Sequence, residues 1–359
     1  MNDAPARIKG RGAASNPVGR FESTRAERED DGWWQEFEAP RPGTTVVDEQ
    51  ARSIISRNDS PDIPFDQSIN PYRGCEHGCI YCYARPTHEY LNLSSGLDFE
   101  TRLTAKSNAA EVLRRELAKP GYVVSPINLG ASTDPYQPIE RRHAITRQVI
   151  EVLARAKHPL TIVTKNALVL RDLDLLLPMA HAGLAQVFIS VTTLDNVLAS
   201  RLEPRASAPH ARLRAVAELA AAGVPVGVFV APVIPAITDS EMENVMEAAR
   251  EAGATTISYT LVRLPHQVAP LFREWLDVHF PQRAAHVMSL IQQMRGGRDN
   301  DPRFGTRMKG EGLFAELLKR RFEVTRKRLG FASRAERIEL RCDLFQPPRA
   351  PSPQADLFS

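Results

Sequence analysis

The amino-acid sequence predicts an α/β fold around a parallel sheet, and three observations lead there. Short apolar or β-branched runs alternate with stretches whose apolar residues recur three and four apart, as strands alternating with amphipathic helices do. Gly223 and Gly253 stand where two of those helices end. The chain, 359 residues with 43% hydrophobic and 25% charged composition, is long and apolar enough to enclose a large core.

In chain order, strands are expected at 67–70, 126–129, 160–164, 186–191, 226–230 and 256–262. Helices are expected at 108–118, 145–156, 170–182, 209–222 and 240–252. Strand, crossover, strand within one sheet demands parallel neighbours joined in the right-handed sense, so the residues allow a partial barrel or a doubly wound sheet. Either puts function at the C-terminal ends of the strands. The glycine-rich dinucleotide and phosphate-loop fingerprints are both missing from the sequence.

Outside this α/β body, taken as 65–290, residues 1–64 read as a largely irregular extension, polar except for Trp33, Trp34 and Phe37. Residues 291–346 read as a basic helical segment, and 347–359, with four prolines, as a disordered tail. No apolar run approaches the roughly 18 residues that span a bilayer, and the N-terminus lacks a signal peptide's apolar centre, so a cytoplasmic protein with no membrane partner is expected.

Three of the four cysteines fall within eight residues, Cys75, Cys79 and Cys82, in the run Asn70-Pro71-Tyr72-Arg73-Gly74-Cys75-Glu76-His77-Gly78-Cys79-Ile80-Tyr81-Cys82-Tyr83-Ala84-Arg85. Clustered thiols in a reducing compartment point to metal rather than to disulfides. The loop follows the first strand, where an α/β barrel carries its active site. Three thiolates can wrap one corner of a cuboidal iron-sulfur cluster, with Gly74 and Gly78 letting the backbone approach, and the fourth iron is then free for a small molecule. Two other readings compete: an iron-sulfur electron-transfer or redox protein, which needs a fourth ligand, and a zinc-stabilised nucleic-acid-binding module, which would require His77, His88 or Cys82 plus a distant Cys342 to complete its site.

The CxxxCxxC loop with Tyr81 before its last cysteine resembles the signature of the radical S-adenosylmethionine (SAM) superfamily. Together with Gly130-Ala131-Ser132-Thr133-Asp134-Pro135-Tyr136-Gln137-Pro138 and Glu140, it resembles the branch related to spore photoproduct lyase, often labelled DNA repair photolyase-like, over about residues 62–265. The resemblance implies a partial (β/α)6 barrel of the TIM type, a [4Fe-4S] cluster and SAM as cofactors, and an external one-electron donor of flavodoxin or ferredoxin type. It implies reductive cleavage of SAM to a 5′-deoxyadenosyl radical that takes hydrogen from a substrate the sequence does not name. Cys75, Cys79 and Cys82 would ligate the cluster, and Tyr81 would lie against the adenine. Ser132, Thr133 and Asp134 would meet the SAM amino group, in place of the usual Gly-Gly-Glu. Ser190 and the 232–235 stretch would touch ribose or methionine. Spore photoproduct lyase uses a cysteine as hydrogen donor, and this chain has none in the barrel region outside the loop, so Cys342 would serve only if the C-terminal segment folded over the barrel mouth.

Lys106, Lys165, Tyr259 and Arg263 stand at strand ends and are candidates for lining a pocket, with solvated or ion-paired side chains as the plainer reading. Glu203-Pro204-Arg205 reads as a turn with an ion pair, and His143 as a surface residue. From Arg295 to Arg341 there are 14 Lys or Arg against 7 Asp or Glu, on a chain of net charge +3. A helix over 313–329 carries Lys319, Arg320, Arg321, Arg326, Lys327 and Arg328, which makes nucleic acid a candidate partner through phosphate contacts, with a solvated helix packed on the barrel as the plainer reading.

Overall fold

The computed structural model describes residues 8–21, 43–333, 336 and 338–348. Trp33, Trp34, Phe37 and most of the 347–359 tail lie outside them. Along the chain the strands are β1 (Thr45–Asp48), β2 (Ile55–Arg57), β3 (Gln67–Ile69), β4 (Tyr72–Arg73), β5 (Arg102–Ala105), β6 (Ile127–Leu129), β7 (Leu160–Thr164), β8 (Ala185–Ser190), β9 (Val226–Val233) and β10 (Thr256–Leu261).

The main sheet runs β10-β9-β8-β7-β6-β3-β2, with its first six strands parallel and β2 antiparallel to β3. This order settles the choice that the residues leave open. A doubly wound sheet reverses direction at a switch point, whereas here each successive parallel strand joins on the same side, as in a barrel. The two edges, β2 and β10, do not pair, so the barrel is partial. Ile69, Ile127, Leu129, Leu160, Ile162, Val187, Ile189, Val226, Val228 and Tyr259 all fall in one buried core cluster. A smaller sheet, β1-β5-β4, stands beside it and delivers the chain into the cysteine loop.

The crossover helices lie where the apolar period puts them: Ala109–Leu117, Ile145–Arg155, Pro209–Ala221 and Met242–Glu251. The segment 170–182 divides into a 3-10 turn, Ala167–Asp172, and a helix, Leu173–His181. Asn166 starts that turn by accepting from the Leu168 amide at 3.0 Å, and local capping of this kind competes with a longer helix. Helices Val268–His279 and Ala284–Gln293 are not among the expected ones, although Val268, Leu271, Phe272, Trp275 and Leu276 recur three and four apart on the buried face of the first.

Part of the 1–64 stretch is built into the fold. It supplies β1 and β2, and Gly12 and Ala13 donate their amides to Glu100 at 2.9 Å each. The basic helix Leu313–Arg328 packs against Met242–Glu251, with Arg321 on Glu243 at 2.7 Å and Arg328 on Glu247 at 2.5 Å. Arg326 bonds Glu323 at 3.0 Å. Half of the six cations therefore serve ion pairs within the chain, which favours the packed-helix reading over a phosphate surface. No helix among the described residues is long and apolar enough to cross a membrane.

Candidate active site

Short bonds from distant parts of the chain shape the cysteine loop. The Cys75 amide donates to Phe99 O at 2.8 Å and the Ile80 amide to Leu202 O at 3.1 Å. Gln137 grips the loop at two points: its Oε1 accepts from the Glu76 amide at 2.9 Å, and its Nε2 donates to Gly74 O at 3.2 Å. Arg85, fully buried, donates to the carbonyls of Cys79 (2.9 Å), Gly78 (3.2 Å), Ser95 (3.1 Å) and Gly96 (3.0 Å). Gly78 has φ +65°, and a Cβ there would stand 2.6 Å from Glu100 Oε2, so only glycine fits.

Cys75 and Cys79 are buried, Cys82 is half-buried, and none is in a disulfide. Burial pushes all three thiols up, and Cys75 is raised further by Asp134, Cys79 and Cys82. Buried thiols that resist ionisation on one loop suit a cation whose charge would favour their thiolates. Among the described residues no three His, Cys, Asp or Glu side chains gather closely enough to hold a single metal ion. A cuboidal cluster asks for something else, one thiolate on each of three irons.

The strand ends form two networks against this loop. Asp134, after β6, accepts from Thr164 Oγ1 at 2.7 Å and from the amides of Lys165 (2.7 Å) and Tyr136 (2.9 Å), and meets His77 Nδ1 at 3.3 Å. Burial works against the charge, yet His77 and these donors hold the carboxyl down at about 2. Asn70 Oδ1 accepts from the amides of Ser132 (2.8 Å) and Thr133 (3.2 Å), and the Thr133 hydroxyl donates to Tyr72 O at 3.2 Å. Asp134 and Thr133 thus tie the β6 loop to its neighbours, while the Ser132 hydroxyl takes no hydrogen bond among the described residues.

In the second network the Tyr81 hydroxyl donates to Glu203, which forms a buried ion pair with Arg212 and accepts from Thr192 Oγ1 at 2.6 Å. Burial opposes ionisation of Glu203, but Arg212 and Lys165 hold it below the usual carboxylate range. Arg212 also donates to the carbonyl of Ser190 at 3.1 Å, which fixes the end of β8, and the Lys165 ammonium lies 5.9 Å from the Tyr81 ring centre. Glu203 and Arg205, expected to pair within one turn, go separate ways: Arg205 bonds Glu76 at 3.0 Å. Lys106 donates to Asn70 O at 2.9 Å, and Arg263 stands over the Tyr83 ring at 5.4 Å. Sequence reading gave no role to Asn70, Arg85 and Gln137, though they stand within the quoted runs, and missed Glu100 and Arg212, which lie outside them.

Cys342 lies at the far end of the barrel. Its neighbours Arg341 and Gln346 donate their amides to Gly183 O (2.9 Å) and Ala156 O (2.8 Å), just ahead of β8 and β7, and Phe345 packs on Tyr122 and His158. The condition for Cys342 to act at the barrel mouth is not met.

A family model described as the radical SAM superfamily matches residues 69–249. An uncharacterized protein of Mycobacterium tuberculosis is 37% identical over 233 residues, 64% of this chain and 68% of that protein. One of Methanocaldococcus jannaschii is 25% identical over 214 residues, 60% of this chain and 76% of that protein. Among solved structures, spore photoproduct lyase complexed with dinucleoside spore photoproduct aligns over 80% of each chain with a TM-score of 0.55 at 16% identity, a likeness of fold.

Proposed function

Because this chain belongs to the radical SAM superfamily and is a radical SAM enzyme that uses a [4Fe-4S] cluster and SAM, we propose that Cys75, Cys79 and Cys82 are the cluster ligands and that SAM lies over the ends of β6 to β8. The observation that carries the assignment is three free cysteines on one eight-residue loop at the end of the first parallel strand, two of them buried and the third half-buried. When bound, the pair supplies one-electron cleavage of SAM to methionine and a 5′-deoxyadenosyl radical.

The chain's own residues hold and orient. Gln137 and Arg85 fix the loop, so that the thiols keep their spacing without a cofactor's help. Ser132 and the backbone of its loop take the SAM amino group, with Thr133 and Asp134 holding that loop in place. Tyr81 lies beside the adenine with its hydroxyl secured by Glu203, and Ser190, pinned through its carbonyl, borders ribose or methionine. An electron carrier would need a fourth ligand, and a zinc module would need a gathered set, so neither competing reading is favoured.

Anaerobic reconstitution with iron and sulfide, then reduction in the presence of SAM, is expected to yield 5′-deoxyadenosine and methionine in equal amounts. A fully loaded cluster that yields none would overturn the proposal.

A further inference from the structure

His77 stands between two cysteines of the loop with its side chain buried, and both of its ring nitrogens have partners. Nδ1 lies 3.3 Å from Asp134 Oδ2, and Nε2 lies 3.3 Å from Nδ2 of Asn166, a buried residue just beyond β7. Which nitrogen carries the hydrogen follows from the far side of Asn166. Its Oδ1 accepts from the Leu168 amide at 3.0 Å and from the Ser207 hydroxyl at 3.1 Å. A backbone N–H can only donate, so the oxygen of Asn166 faces Leu168 and its NH2 group faces His77. Ser207 is committed in the same sense: its oxygen accepts from the Ala167 amide at 3.0 Å, and its hydrogen goes to Asn166. An amide NH2 has hydrogens to give and accepts none, so His77 Nε2 is the acceptor and the ring hydrogen sits on Nδ1.

That hydrogen completes the shell of Asp134. Oδ1 accepts from Thr164 Oγ1 and the Tyr136 amide, and Oδ2 accepts from the Lys165 amide and from His77 Nδ1. Two donors on each oxygen fill the roughly four lone-pair positions of a carboxylate, which leaves Asp134 none for a ligand. Its bond to His77 joins the cysteine loop to the loop after β6. The other tautomer would turn a ring lone pair toward the carboxylate and two donors toward each other at Asn166, and both contacts would be lost.

We infer that Asn166 is a positioning residue for SAM cleavage, a role that rests on the cluster assignment above. Its amide selects the Nδ1–H form of His77, and His77 in that form holds the loop assigned to the cluster against the loop assigned to the SAM amino group. Asn166 touches neither group. It acts through His77, as partners behind a ligand-bearing segment do when they fix its orientation.

The test compares the full, cluster-loaded chain with Asn166→Asp, which still accepts from Leu168 and Ser207 but has no hydrogen to give His77. Histidine-selective nitrogen-15 NMR of the oxidised protein reads the tautomer of each ring. Expected in the wild type is an Nδ1–H ring whose signals vanish in His77→Asn, and in Asn166→Asp the same ring with a hydrogen on Nε2. Formation of 5′-deoxyadenosine at saturating SAM should fall about tenfold in Asn166→Asp while iron, sulfide and Tm stay at wild-type values. His77→Asn, whose amide nitrogen stands where Nδ1 stood, should keep more activity than His77→Leu, which has nothing to donate. A wild-type His77 with its hydrogen on Nε2 overturns the inference, and so does an Asn166→Asp chain that cleaves SAM at the wild-type rate. Should Asn166→Asp fail to fold, the wild-type tautomer and the order of the two His77 variants decide. A chain that holds no iron refutes the ligand assignment instead, and the tautomer read on that same full chain still decides whether Asn166 sets the His77 hydrogen.

Discussion

Arg85 and Glu100 form an ion pair at 2.5 Å in which neither side chain has exposed surface. The pair joins three segments. Arg85 holds the Gly78 and Cys79 carbonyls, while Glu100 accepts the Gly12 and Ala13 amides, which binds the N-terminal stretch to the cysteine loop. Removing one partner of a buried pair strands the other, at a cost of about 3–5 kcal/mol. Glu100→Gln is expected to lower unfolding free energy by about 3 kcal/mol and to reduce iron bound per chain after reconstitution. Denaturant unfolding and iron analysis check this, and an unchanged midpoint contradicts it.

Cys79→Ala and Cys342→Ala should differ completely. The first is expected to abolish the cluster's visible absorption and 5′-deoxyadenosine formation while far-ultraviolet dichroism stays at the wild-type level. The second, at the opposite end of the sheet, should leave cluster absorption and SAM cleavage within error of wild type. Loss of the cluster in Cys342→Ala would refute the placement of that residue.

The unpaired edges of the barrel are bridged by side chains. Arg307, beyond β10, meets Asp62, beyond β2, at 2.5 Å and also bonds Ser60, while the Gly305 amide donates to Asp62 at 2.8 Å. Arg307→Ala leaves Asp62 with one of its partners gone, and a loss of about 1–3 kcal/mol is expected. Hydrogen exchange should quicken at 58–66 and 300–310 and stay slow in β6 to β9; uniform protection would show that the bridge contributes nothing.

Acid should weaken the fold through His158. Burial lowers its imidazole to about 4, below the roughly 6.5 of an unfolded histidine. The folded state binds fewer protons between those values, so this stability is complete above pH 6.5 and is lost as pH falls toward 4, by about 3 kcal/mol at most. His158→Gln is expected to flatten the fall in Tm across that window, as read by thermal melts from pH 4 to 7. A slope equal to that of wild type would assign the acid sensitivity elsewhere.

The order of residues by itself determined where the six parallel strands lie, where four crossover helices run and which loop gathers three cysteines. Those signals are local: apolar residues every two or every three to four positions, and three cysteines within eight residues. Tertiary structure alone decided that the strands follow one another in barrel order, that the basic helix is partly neutralised by Glu243 and Glu247, and that Cys342 sits away from the loop. It also decided the company each site residue keeps. Gly12 meets Glu100, Tyr81 meets Glu203, and Arg212 reaches the end of β8, across separations that leave no periodic trace in the chain. A periodicity records which face of an element avoids water; it carries no record of which distant element comes to cover that face.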